Sequence, residues 1–138
     1  MQEVYNVAFL GLLVYLSTLV VQALVAASTK SSQKGAIPGK MDPNLSHSSF
    51  VYRSNRTFMN SLENFPAFIG AAFLAIFVGA DAFWVGTLIW VFAVSRIIHM
   101  VLYYVIATEK NPSPRSLFYM SALLANIALL FFCGLALI

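Results

Sequence analysis

The sequence predicts an all-α integral membrane protein, a four-helix bundle that forms one domain over residues 1–138. Two observations lead to this class. Apolar residue types make up 60% of the 138 residues and charged types only 9%, whereas an ordinary soluble domain carries roughly 25% charged residues. Four long runs with little or no charge also follow one another along the chain, and about 20 such residues let a helix cross the hydrocarbon core.

The same composition excludes several other classes of protein. A disordered chain needs low hydrophobicity and high charge, which is the opposite of what this chain has. Eight Lys and Arg residues, separated by long apolar runs, do not make a basic domain, so no nucleic-acid partner is expected. One cysteine permits no internal disulfide, and two histidines with few carboxylates predict no metal site.

The apolar runs should all be helices, because backbone polar groups in lipid need partners within their own segment. The first run is longer than a signal-peptide core and lacks a basic start, so we expect it to be a membrane span. The first and fourth runs are long enough without interruption, and the third contains Arg96 near its middle. The runs cover residues 4–29, 64–80, 82–108 and 116–138.

The second run is short for a membrane span, so its helix is expected to begin earlier, at about Phe58. Ser46 lies before another partly apolar stretch and favours a still earlier start, with the helix projecting beyond the membrane. Pro66 lies inside the segment, where it should kink the helix or free a carbonyl.

Charge predicts the orientation of the four spans. The loops at about residues 30–57 and 108–115 fall on one side and hold seven of the eight basic residues. The positive-inside rule places these loops in the cytoplasm. The membrane is then either the endoplasmic reticulum or a bacterial inner membrane.

Charged residues inside the spans indicate where function lies. A charge near the bilayer centre costs at least roughly 2.5–3.5 kcal/mol, and such residues normally face the bundle interior or a cavity. On the second helix Arg56, Asn60 and Glu63 share one face, because they are spaced i, i+4 and i+7. A structural ion pair between Glu63 and Arg96 is one explanation for two of these charges.

Two further polar faces occur at a similar depth. The third helix presents Arg96, His99 and Tyr103 on one face, and the fourth begins with Arg115 and Ser116, followed one turn later by Tyr119. Lipid cannot satisfy these groups, so they should face each other or a neighbouring subunit. This inventory exceeds one salt bridge and favours a pocket for an anionic ligand with many hydrogen-bonding groups.

The motif R-x-x-x-N-x-x-E-x-x-P at residues 56–66 resembles the MAPEG family, the membrane-associated proteins of eicosanoid and glutathione metabolism. Arg96-x-x-His99-x-x-x-Tyr103 and Pro114-Arg115-Ser116-x-x-Tyr119 extend the resemblance over nearly the whole chain. The resemblance implies a homotrimer that binds glutathione between adjacent protomers, open to the cytoplasm. It also implies a second substrate, a hydrophobic electrophile that arrives from the bilayer between the first and fourth helices.

The resemblance further implies a role for each polar residue. Glutathione would be held mainly by the second and third helices, and its thiolate would be stabilised by Arg115 at the start of the fourth. The glutathione-binding residues would be Arg56, Asn60, Glu63, Arg96, His99 and Tyr103, and the catalytic ones Arg115, Ser116 and Tyr119. Met59 and Asn64 differ from the eicosanoid-forming branches, so the implied activity is general glutathione transfer or peroxide reduction.

Two rival functions fit the same sequence. One is a non-enzymatic protein of this fold that binds a lipid and presents it to a partner. The other is a small transporter or structural membrane subunit, in which Glu63 and Arg96 serve an ion path. Both predict that the protein has no need for glutathione.

Overall fold

The computed structural model describes residues Met1–Ile138 and contains four α-helices and no strand. Each helix is long and apolar enough to cross a membrane, so the predicted all-α membrane class is confirmed. The helices are α1 (Asn6–Ser31), α2 (Phe50–Phe77), α3 (Ala82–Val105) and α4 (Pro114–Leu137). Segments 32–49 and 106–113 therefore lie at the same end of the bundle, which we call the loop end.

The boundaries of all four helices differ from those of the apolar runs, by two residues at each end for α1. α2 starts at Phe50, well before Phe58, because its first turns carry polar groups on a face that packs inside the protein. α3 ends at Val105. α4 begins at Pro114, since proline suits the first helical position and Ser113 forms a capping box with Ser116.

Pro66 lies inside α2 without ending the helix. A proline has no backbone N–H, so the carbonyl of Leu62, four residues earlier, loses its usual helical donor. Leu62 and Pro66 are both exposed on the outer surface of the bundle.

α2 and α3 form the middle of the bundle. α1 packs against both of them and so does α4, but α1 and α4 do not contact each other. Within the chain there is consequently no interface between α1 and α4.

Aromatic packing fills the centre of the bundle. The rings of Phe68 and Phe92 stack with centroids 3.6 Å apart, which joins α2 to α3. Tyr15 of α1 meets both rings edge-on, at 5.2 and 5.1 Å. Edge-to-face and stacked contacts of this kind add to the stabilisation from apolar burial.

The end opposite the loop end is closed by a short turn between α2 and α3. The Asp81 carboxylate accepts hydrogen bonds from the backbone N–H groups of Phe83 and Trp84, each at 3.1 Å, and so caps α3. The Tyr5 hydroxyl donates to the carbonyl of Ala80 at 2.6 Å and ties the start of α1 to this turn.

Large apolar side chains cover much of the outer surface of all four helices. Leu13 and Leu24 of α1 are 61% and 65% exposed, and Phe131 of α4 is 62% exposed. In water such a surface would drive association. In a bilayer it is the expected lipid-facing surface.

Candidate functional site

An open cleft of about 460 Å³ lies at the loop end, between α3, α4 and the segment that joins them. Six of the nine residues that the sequence singled out line this cleft. They are Asn60, His99, Tyr103, Arg115, Ser116 and Tyr119. The other three, Arg56, Glu63 and Arg96, lie outside it.

Arg115 is buried in the first turn of α4, and its guanidinium group is held on three sides. Nη2 donates to the carbonyl of Thr108 at 3.1 Å, and Nε donates to the hydroxyl of Ser113 at 3.3 Å. The guanidinium carbon lies 4.0 Å from the centroid of the Tyr103 ring. Nη1 is buried and has no hydrogen-bond partner, so its donor capacity is unused in this structure.

The start of α4 adds a second favourable feature for an anion. The first N–H groups of a helix carry a partial positive charge. The hydroxyl of Ser116 accepts a hydrogen bond from the backbone N–H of Ser113 at 3.1 Å, which leaves its own hydrogen free to donate. Tyr119 lies one turn further along, with its ring 6.5 Å from that of His99.

His99 lies between two tyrosines on the α3 side of the cleft. It is almost completely buried, and its ring centroid is 5.5 Å from that of Tyr103. Nδ1 has no hydrogen-bond partner in the protomer. A buried polar atom without a partner is costly, so this nitrogen is a candidate contact for a ligand or a water molecule.

Arg96 lies beneath the cleft and is 1% exposed. Its Nη2 donates to the carboxamide oxygen of Asn60 at 2.8 Å and to the hydroxyl of Ser61 at 3.0 Å. The ion pair between Glu63 and Arg96 that we considered does not form within the protomer. α2 turns Asn60 and Ser61 toward α3, and Glu63 faces outward on the exposed side of the helix.

Glu63 instead lies near Arg56, with Oε1 of the carboxylate 3.8 Å from Nη1 of the guanidinium. The two side chains are 55% and 39% exposed. Both therefore lie on the outer surface of the protomer rather than in its cleft. A pair this exposed contributes little stability by itself.

The cleft residues that the sequence analysis did not single out include His47 and Glu109. His47 lies in a loop, yet its side chain is only 18% exposed. Nδ1 lies 2.8 Å from Oε2 of Glu109, and Nε2 lies 3.0 Å from the hydroxyl of Tyr103. The only sequence signal was that both residues belong to loops on the same predicted side of the membrane.

Arg53 fixes His47 from the α2 side. One nitrogen of its guanidinium donates to the carbonyls of His47 and Ser48, at 2.7 and 3.0 Å. Another donates to the carbonyl of Tyr104 at 3.2 Å. Arg53 thus joins the end of α3 to the segment before α2.

Four apolar helices, with a cleft lined by cationic and aromatic side chains at one end, define an α-helical multi-pass membrane protein. The chain belongs to the MAPEG family, whose family model matches residues 4–135. The resemblance noted from the polar motifs is therefore confirmed. Comparisons with curated proteins and with solved structures found no match.

Proposed function

We propose that this MAPEG protein is a glutathione transferase that also reduces hydroperoxides and acts on hydrophobic substrates from the bilayer. The observation that carries the proposal is the placement of Arg115. Its guanidinium is buried, fixed by Thr108 and Tyr103, and keeps one unpaired nitrogen at a helix N-terminus beside an open cleft. A fixed cation of this kind stabilises a thiolate more than a thiol.

The chemistry follows from the charge on sulfur. A free thiol has a pKa of about 8.5, and the thiolate is the nucleophile. Arg115 and the first turn of α4 favour the thiolate, and the proton leaves through the open cleft to water. In conjugation, sulfur bonds to an electrophilic carbon as the leaving group departs with the electron pair.

Reduction of a hydroperoxide uses the same thiolate. Sulfur attacks the terminal peroxide oxygen, the O–O bond breaks, and the alkoxide takes a proton to become an alcohol. The sulfenic acid of glutathione then reacts with a second glutathione, which gives the disulfide and water. Two electrons pass from two thiols to one peroxide, so the step balances without a metal.

The residues that hold glutathione are proposed to come from adjacent protomers of a homotrimer. Arg56 and Glu63 pair with each other and face outward from α2, where contact with lipid would be costly for charged groups. A neighbouring subunit at this face removes that cost. It also brings a cation and a carboxylate toward the ends of a glutathione molecule in the adjacent cleft, while Asn60, held by Arg96, contacts it from below.

The hydrophobic substrate needs a path from lipid to the cleft. Met120 lines the cleft and is also 46% exposed on the outer surface, next to the exposed Leu117 and Leu124 of α4. These apolar side chains connect the lipid-facing surface of α4 to the cleft. Because α1 and α4 do not touch within a protomer, the expected route between them would run between α4 and the α1 of a neighbour.

The proposal includes an orientation in which the loop end faces the cytoplasm, the compartment that supplies glutathione. Its support is the excess of Lys and Arg in segments 32–49 and 106–113 over the opposite end. Lys30, Lys34, Lys40 and Lys110 all lie at or beside the loop end.

The test uses the full chain purified in detergent. Glutathione binding is measured by calorimetry, and subunit number is measured by native mass spectrometry. Turnover is measured with a chloronitrobenzene and with cumene hydroperoxide as the second substrate. We expect binding, turnover with at least one substrate, and a trimer. Absence of both binding and turnover from a folded sample would refute the enzymatic function and favour the lipid-presenting alternative. A monomer that is fully active would refute only the proposal that adjacent protomers share the glutathione site.

A further inference from the structure

His47 and Glu109 connect the two segments of the loop end across the mouth of the cleft. The backbone N–H of His47 donates to Oε1 of Glu109 at 3.0 Å, and the imidazole Nδ1 lies 2.8 Å from Oε2. The carboxylate thus engages His47 twice, through main chain and side chain. Both residues line the cleft.

Glu109 determines whether Nε2 of His47 is a donor or an acceptor toward the Tyr103 hydroxyl. An ionised carboxylate only accepts hydrogen bonds, so the neighbouring Nδ1 carries a proton. In the neutral imidazole Nε2 is then the acceptor, and the Tyr103 hydroxyl donates to it over 3.0 Å. The ring of Tyr52 packs edge-on against the imidazole, with centroids 4.9 Å apart, and restricts its rotation.

Tyr103 transmits this arrangement to Arg115. Its ring lies beneath the guanidinium, 4.0 Å from the guanidinium carbon, and a cation is attracted to the face of an aromatic ring. Because the hydroxyl is anchored by His47, the ring cannot turn away from Arg115 without breaking that hydrogen bond. Glu109, His47, Tyr103 and Arg115 therefore form a continuous series of contacts from the loop end into the cleft.

We propose that His47, held by Glu109, is a positioning residue that fixes Tyr103 and, through it, the Arg115 guanidinium. The inference rests on the proposed function, because it assigns His47 a task in thiolate stabilisation. His47 acts on the sulfur only through Tyr103 and Arg115, and it takes no part in proton transfer. Its loss should therefore lower kcat while glutathione binding is retained.

The test is a double-mutant cycle on the full-length protein in detergent, with His47→Ala, Tyr103→Phe and the double variant. Misplacing a catalytic group by about 1 Å can cost roughly a hundredfold in rate. We expect His47→Ala to lower kcat by roughly ten- to a hundredfold, with KM for glutathione changed by less than about threefold. In the Tyr103→Phe background the same substitution should have almost no further effect, since the hydroxyl is already absent.

Control variants separate positioning from folding. His47→Gln can still offer an amide to the Tyr103 hydroxyl and should recover part of the lost kcat, whereas Ser46→Ala, next in the chain, should match the wild type. If His47→Ala does not fold, His47→Phe provides the same test, because its ring can still pack against Tyr52 but cannot hydrogen-bond to the Tyr103 hydroxyl. Subunit number and thermal unfolding are compared for every variant.

The outcomes are distinguishable. If the wild type neither binds nor turns over glutathione, the proposed function itself is wrong and the positioning role falls with it. If the wild type is active and His47→Ala retains full kcat, or loses as much in the Tyr103→Phe background as in the wild type, only the inference is overturned. A loss of kcat that disappears in that background supports it.

Discussion

The guanidinium carbon of Arg115 lies 4.0 Å from the centroid of the Tyr103 ring. This contact joins the first turn of α4 to the last turns of α3 and holds a buried cation at the edge of an open cleft. Arginine suits such a position better than lysine, because its planar group can stack on a ring while its nitrogens donate elsewhere. The stacked geometry therefore predicts that both charge and shape at residue 115 affect thiolate formation.

Replacing Arg115 with alanine should abolish most of the thiolate while glutathione still binds through the remaining contacts. Removal of one preorganised donor from an oxyanion site costs roughly 10²- to 10³-fold in kcat, and we expect a loss in that range. The thiolate absorbance of bound glutathione in the ultraviolet should disappear at neutral pH. Arg115→Lys keeps the charge but loses the stacking and should show an intermediate thiolate signal. Unchanged turnover in Arg115→Ala would show that another group activates sulfur.

Arg96 is predicted to act on glutathione binding through Asn60. Arg96→Met is close in length but frees the Asn60 carboxamide from its 2.8 Å hydrogen bond. We expect glutathione affinity to fall roughly tenfold or more, because the lost hydrogen bond to a charged group is worth about 1.5–3 kcal/mol and each 1.4 kcal/mol corresponds to about tenfold in affinity. Calorimetry measures the affinity, and the Ser61→Ala variant is the control, since it removes the other acceptor of Arg96 without touching the cleft. Equal losses in both variants would point to general loosening of the α2–α3 contact.

The four helices follow from the sequence because each apolar run is long enough to span a bilayer, and lipid requires helical backbone. The shared face of His99 and Tyr103 could likewise be predicted from the sequence, since helical spacing alone places them together. The early start of α2 was indicated by Ser46 and the partly apolar stretch after it, but the exact first residue, Phe50, was not.

Contacts between distant loops could not be obtained from spacing. His47 and Glu109 are 62 positions apart in sequence, and no periodicity relates two irregular segments. The ion pair between Glu63 and Arg96, which was one explanation for these charges, is absent for a related reason. Helical spacing gives the face of each residue on its own helix, but the rotation of α2 against α3 decides that Asn60, not Glu63, meets Arg96.

The attachment of Glu109 to His47 should depend on pH. The hydrogen bond from the His47 backbone N–H, followed by the one from its side chain, lowers the pKa of Glu109 below the usual 4.5. A carboxyl group whose pKa is lowered on folding stabilises the fold above its ordinary pKa. That contribution is lost as pH falls through the lowered value.

The His47 backbone amide reports this change directly, because its proton is donated to Glu109. In an NMR titration we expect its resonance to show a transition with a midpoint below 4.5. Glu109→Gln should show no such transition. A midpoint at or above 4.5 in the wild type would mean that the contact does not form in solution.

Close packing of α1 against α3 is predicted to depend on Gly11. A Cβ atom at this position would lie 2.8 Å from Cγ2 of Ile89 and 3.3 Å from two atoms of the Trp90 ring. Ile89 is fully buried and β-branched, so it cannot yield easily. The Trp90 indole N–H, which donates to the carbonyl of Val7 at 3.0 Å, would be disturbed as well.

Gly11→Ala should therefore lower the free energy of unfolding by about 1–3 kcal/mol, the usual cost of overpacking, in spite of the better helix propensity of alanine. Gly134→Ala is the matched control: it has the same gain in propensity, about 0.5–1 kcal/mol, and no atom within 4 Å of the new Cβ. Denaturant unfolding in detergent, followed by tryptophan fluorescence, measures both variants. If Gly11→Ala is as stable as Gly134→Ala, then α1 and α3 are not in close contact at this level.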